Sequence, residues 1–129
     1  MFLIHKWNKG AEPWEVKPAG VGLALDVGTA LVMKSGVLAK ATGTTKPEFI
    51  CMETVESTAE NQMVHVERVK PETEYETELS AASSAIAIGN KYTIDATGTM
   101  ITATTDSGVA TVTGFDGTAA GSKVRVRFI

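Results

Sequence analysis

The sequence predicts a mainly β domain, a small barrel or sandwich with at most one short helix. Two observations predict it. From residue 21 onward, short apolar or alternating runs are broken at roughly 8–12-residue spacing by Gly, Asn, Asp or Ser, the punctuation of a hairpin-built protein. Those runs are rich in Thr and Val, whose branched side chains fit a pleated surface. At 129 residues, with 43% hydrophobic and 21% charged residues, the chain is one domain long and able to bury a core.

Residues 1–20 stand apart. Trp7, Trp14, Pro13, Pro18, Gly10 and Gly20 fall in a stretch with neither helical nor strand periodicity, and proline pushes the residue before it toward extended geometry. An extended N-terminal arm is expected over 1–20, followed by a single β domain over 21–129. Both tryptophans of the chain lie in this arm, packed either on their own domain or, as interface anchors, on a neighbouring subunit.

Strands are expected at Leu23–Leu25, Ala30–Lys34, Val37–Ala41, Phe49–Val55, Met63–Val69, Glu74–Leu79, Lys91–Asp95, Thr99–Thr104, Val109–Thr113 and Lys123–Phe128. Ala-rich Ser80–Ile88 is the one helix-friendly segment, too short to be stable without packing. An internal echo supports the hairpins. Val27-Gly28-Thr29-Ala30-Leu31-Val32-Met33 is matched by Ile88-Gly89-Asn90-Lys91-Tyr92-Thr93-Ile94, each followed by a turn glycine (Gly36, Gly98) and a second strand ending in Ala-Thr. The opening recurs at Ala120-Gly121-Ser122-Lys123-Val124-Arg125-Val126. In each copy a glycine turns the chain tightly and a strand with alternate apolar residues follows.

The groups that carry catalysis are sparse. His5 and His65 lie sixty residues apart; His65 and Glu67 point the same way from one strand but find no third metal ligand in the pattern. Ser83-Ser84 lacks a nucleophile elbow, and the scattered glycines form neither a dinucleotide nor a phosphate loop. The expectation is a non-enzyme without cofactor or metal. Cys51, the only cysteine, sits in the run Phe49-Ile50-Cys51-Met52 and reads as a small buried hydrophobe. A net charge of −3 argues against a nucleic-acid partner. No window has the apolar length of a membrane span, and Met-Phe-Leu-Ile followed by His5 and Lys6 is too short for a signal peptide, so synthesis and folding in the cytoplasm are expected.

Two charge stripes are more informative. Glu72, Glu74, Glu76 and Glu78 alternate with Thr73, Tyr75, Thr77 and Leu79; Lys123, Arg125 and Arg127 alternate with Val124, Val126 and Phe128. They are either solvated faces guarding an edge strand, or surfaces through which the acidic stripe of one subunit meets the basic stripe of another. Phe128-Ile129, apolar at the last positions, implies a final strand pinned to its end in the core or on a partner.

The sequence resembles the decoration (capsid cement) proteins of tailed bacteriophages. The resemblance rests on Pro18-Ala19-Gly20-Val21-Gly22, on Val27 to Met33 with the Gly36 hairpin, on the acidic middle, and on Ala120 to Phe128. It implies a compact β-barrel or β-tulip-like domain with an extended arm, a homotrimer that binds the major capsid protein on the exterior of the virion. The two-tryptophan arm and the long acidic midsection depart from the family's pattern. On this reading the partner-binding residues are Trp7, Trp14, Glu74, Glu76, Lys123, Arg125 and Arg127. The competing readings are a tail, baseplate or head-fibre component and a bacterial surface immunoglobulin-like module, the latter resting on Gly108-Val109-Ala110-Thr111-Val112-Thr113-Gly114 and Gly117 to Gly121.

Overall fold

A computed structural model of the chain describes residues 1–6 and 14–129. The fold is mainly β, as the sequence predicts: β1 (Leu3–Lys6), β2 (Glu15–Ala19), β3 (Ala24–Leu25), β4 (Ala30–Lys34), β5 (Val37–Lys40), β6 (Phe49–Cys51), β7 (Val55–Glu56), β8 (Gln62–Arg68), β9 (Glu74–Glu78), β10 (Lys91–Tyr92), β11 (Ala110–Phe115) and β12 (Lys123–Arg127). Strands β2-β5-β4-β6-β8 close into a small barrel. A five-stranded sheet has the order β1-β9-β12-β11-β10, and β3 pairs with β7.

The barrel and the sheet each organise a core, and β4 and β6 serve both. Leu31 on β4 and Phe49 and Cys51 on β6 point into the barrel with Ala19, Leu38, Val64 and Val66. Ala30 and Ile50, one residue out of phase, point the other way and join the core under the sheet with Tyr75, Val112, Val124, Val126 and Phe128. Side chains alternate across a strand, so a strand buried on both faces must be apolar at every position. That is why Ala30-Leu31-Val32-Met33 and Phe49-Ile50-Cys51 read as continuous apolar runs. The strands of the outer sheet, buried on one face only, alternate instead: Val124 and Val126 are fully buried between Lys123, Arg125 and Arg127.

The echoed openings share a geometry. Gly28, Gly89 and Gly121 adopt φ of +86°, +93° and +85°, and each lies two residues before a strand, β4, β10 and β12. Such φ values disfavour any residue with a Cβ. At Gly28 a Cβ would also meet the backbone nitrogen of Phe2 at 2.9 Å, where the Phe2 N–H donates to the Gly28 carbonyl at 2.8 Å.

Several strand bounds and edges differ from those expected. Within the extended segment 1–20, β1 pairs with β9, and β2 pairs along its whole length with β8. Pro18 is tolerated inside β2 because that strand's other edge meets β5 only at Ala19, so little ladder is lost for want of an N–H. Trp7, Gly10 and Pro13 lie outside the described residues. The run Phe49–Val55 is two strands, because the Met52-Glu53-Thr54 corner is held by other bonds. There the Cys51 thiol donates to the Glu53 carbonyl at 3.0 Å, and the Glu53 carboxylate accepts the His65 N–H at 3.0 Å. Thr99–Thr104 contributes bridges at Ile101 alone, since the Asp95 carboxylate accepts the N–H groups of Thr99 and Met100 at 3.1 and 3.0 Å and closes a turn there. Ser80–Ile88 is irregular. Its backbone donors reach outward, Ser80 to Ile101 and Ser83 to Thr118, which leaves no helical ladder. The last strand is no edge: β12 lies between β9 and β11.

Candidate functional site

Two faces of the molecule carry the residues singled out in the sequence. The first is the outer face of the β2–β8 pair. Antiparallel register sets Val16 beside His65 and Pro18 beside Met63. Trp14, just before β2, brings its ring to 6.1 Å from the His65 ring. Trp14, Val16 and Met63 are 57%, 43% and 53% exposed. Single exposed apolar residues are ordinary on a soluble protein, but a contiguous group headed by tryptophan is a feature of contact surfaces.

The inner side of the same strands is firmly built. Arg68 donates through Nε and Nη2 to the two carboxylate oxygens of Glu15, both at 3.0 Å, and Lys17 lies 3.4 Å from that carboxylate. The guanidinium stands 4.9 Å from the Phe49 ring centre. The hydrogen bond from Arg68 is the main cause holding the Glu15 carboxyl below its ordinary pKa. On the outer face, His65 is held at 3.3 Å by Glu53; the Glu67 side chain is buried. Among the described residues no three His, Cys, Asp or Glu side chains gather as metal ligands would. Cys51 lies fully buried in the barrel core, and burial pushes its thiol pKa up, which keeps it protonated at neutral pH.

The second face is the outer side of the five-stranded sheet, where both charge stripes lie side by side within one chain. Register opposes Lys123 to Glu78 and Arg125 to Glu76. Lys123 Nζ is 3.3 Å from Glu78, and Arg125 is 3.7 Å from Glu76 and 2.9 Å from Asp116. The Arg125 side chain reaches Asp116 by lying over Gly114, where a Cβ would meet Nε at 2.9 Å. Glu74, almost buried, holds the His5 ring nitrogen at 2.5 Å and so fastens β1 to β9. Two pairs, Lys123 with Glu78 and Arg125 with Glu76, thus join the stripes in cis. Reversing Arg125 and Arg127 to Glu would set like charges beside Glu76 and Asp116, so weaker assembly after that change would not separate binding from folding.

A pH prediction follows from this pairing. Asp116 is held below its ordinary value of 3.8, first by the hydrogen bond from Arg125 and then by its charge. A carboxyl lowered on folding contributes stability above that ordinary value and loses it as pH falls through the folded value. Arg125→Gln removes the Asp116 share and leaves that of Glu15. The difference in urea midpoint between pH 7 and pH 3 is expected to be smaller in the variant than in the wild type; an equal difference would remove Asp116 from the acid response.

Of the residues expected to bind a partner, Trp14 is on the first face; Glu74, Glu76, Lys123, Arg125 and Arg127 are on the second; Trp7 lies outside the described residues. The sequence did not single out Val16 and Met63, although their strand phase, opposite to the buried Val64 and Val66, was available as a signal. No family model matches the chain, and no curated protein is significantly similar to it. No helix among the described residues is long and apolar enough to cross a membrane.

Proposed function

We propose that the chain is a structural binding protein, a decoration protein that attaches to the major capsid protein on the exterior of a tailed-phage head and stabilises it. The observation that carries this reading is the exposed Trp14–Val16–Met63 group on a barrel face whose inner side is rigidly packed. A rigid platform presenting an apolar anchor loses little conformational freedom on docking, which favours affinity. The resemblance of Pro18 to Gly22, Val27 to Met33 and Ala120 to Phe128 to capsid cement proteins supplies the class of partner. In that family's manner the protein acts as a homotrimer, and several weak contacts per trimer add to a high avidity. Virion attachment on this reading follows synthesis in the host cytoplasm.

Co-sedimentation of the purified protein with phage heads tests the proposal. Binding to expanded heads and not to unexpanded proheads is expected. No binding to either would overturn it and favour a tail, baseplate, head-fibre or bacterial surface module.

A further inference from the structure

We infer that the outer face of the five-stranded sheet carries a carboxylate-binding row, Lys91–Thr111–Arg127, that takes an acidic segment of a protein partner. The register opposes Lys91 to Thr111 and Thr111 to Arg127, so the three form one line across β10, β11 and β12. Their strand neighbours Tyr92, Ala110, Val112, Val126 and Phe128 are buried in the core, which puts all three on the opposite, outer side. With about 5 Å between adjacent strands, the two cations stand on the order of 10 Å apart at their Cα atoms, with a hydroxyl between them.

Three side-chain atoms gathered here are out of contact with water and have no hydrogen-bond partner among the described residues: Thr111 Oγ1, Thr113 Oγ1 and Arg127 Nε. Thr113 is the extra residue of the bulge between Val112 and Gly114, and the bulge brings a second hydroxyl to the row. Unsatisfied buried polar atoms are costly and uncommon; these lie beneath the surface of the row, and contact with a partner falls to the exposed Lys91 and the part-exposed Arg127. The rest of the stripe is already satisfied. Arg125 is engaged by Asp116 and Glu76, Lys123 by Glu78, and Glu74, next in line beyond Arg127, by His5. Lys91 and Arg127 have no ion pair among the described residues.

Charge and spacing select the occupant. Two cations bracketing hydroxyl groups match one or two carboxylates, accepted by guanidinium and ammonium donors. A nucleic-acid backbone would need a long basic track, and a chain of net charge −3 does not supply one. The inference rests on the reading of the chain as a binding protein only in making the partner a protein.

The test titrates the whole, isotope-labelled protein with an acetylated and amidated hexaglutamate peptide at low ionic strength, followed by NMR, with inorganic phosphate in a parallel arm. The peptide is expected to shift the amides of Lys91, Thr111, Thr113 and Arg127 together with the Arg127 Nε–H. Arg127→Gln and Lys91→Gln are each expected to weaken binding by about tenfold. Lys91 is exposed on a two-residue edge strand, so its variant keeps the test valid should Arg127→Gln unfold. Shifts elsewhere, shifts that survive both substitutions, or an equal response to phosphate would overturn the inference. No capsid enters the experiment, so its failure is distinct from a failure to bind expanded heads.

Discussion

Phe128→Ala is expected to destabilise the fold by about 3–5 kcal/mol, the range for truncating a fully buried aromatic ring. The ring is wholly shielded from solvent. It meets Phe2 edge-on, at 5.3 Å between centroids and 65° between planes, and Tyr75 at 5.5 Å. Three distant parts of the chain therefore meet here: the residue before β1, the second residue of β9 and the residue after β12. Alanine leaves a cavity that Phe2 and Tyr75 fill only in part, and both aromatic contacts are lost. Domains of this size are stable by about 5–15 kcal/mol, so the variant stands near the edge of folding. Urea unfolding at neutral pH measures the effect, with Phe128→Leu as a control that keeps most of the volume and is expected to cost less than about 2 kcal/mol. A loss below about 1 kcal/mol for alanine would mean that the ring is not an organising contact of this core.

The burial of Phe128 was legible in the sequence and its partners were not, while the last residue, Ile129, is 56% exposed rather than pinned in the core. Alternation of Val124, Val126 and Phe128 with three cations shows which side is buried, because burial on one face imposes a period of two. Nothing in that period says that β12 inserts between β9 and β11, since the pairing joins segments about 45 residues apart and is settled by the shared core. The boundaries of Ala30–Lys34 were legible for a related reason: Lys34-Ser35-Gly36 leaves the core and turns at once, with Ser35 and Gly36 at positive φ. β1 and β2 were hidden for opposite reasons. β1 spans four residues and is interrupted by a bulge between Ile4 and Lys6, and β2 contains a proline. Local patterns depreciate both features, and tertiary pairing overrides them.

The same division holds for the binding faces. The alternation of Glu74, Glu76 and Glu78 gave one side of β9, whereas Glu72 lies in the turn before it; adjacency to the cationic strand pairs Glu76 and Glu78 with Arg125 and Lys123 within one chain. What survives of the basic stripe is Arg127, and its importance comes from Thr111 and Lys91, whose register with it no local reading supplies. Trp14 was legible as a candidate anchor from its residue type alone. Its companions Val16 and Met63 became visible only when β2 was placed on β8.

On the proposed function, Trp14→Ala is expected to weaken attachment to expanded heads by at least about thirtyfold, the effect of losing a tryptophan hot spot of about 2 kcal/mol or more. Its stability should change by no more than about 0.5 kcal/mol, because the side chain is more than half exposed and outside both cores. That separation is the diagnostic. A tryptophan that only packs on its own barrel would lower the unfolding midpoint without a selective effect on binding, whereas an anchor lowers affinity at constant midpoint. Val16→Ser and Met63→Ser, on the same outer face, are expected to add smaller losses in the same direction, since residues around a hot spot act mainly by excluding water. Ala39→Ser, on β5 and outside the exposed Trp14, Val16 and Met63 group, serves as the matched control. On the proposed trimeric reading, multivalency would amplify the difference, so the comparison is best made at protein concentrations spanning the wild-type half-saturation point. Full-strength binding by Trp14→Ala at every concentration would remove this face from the docking surface.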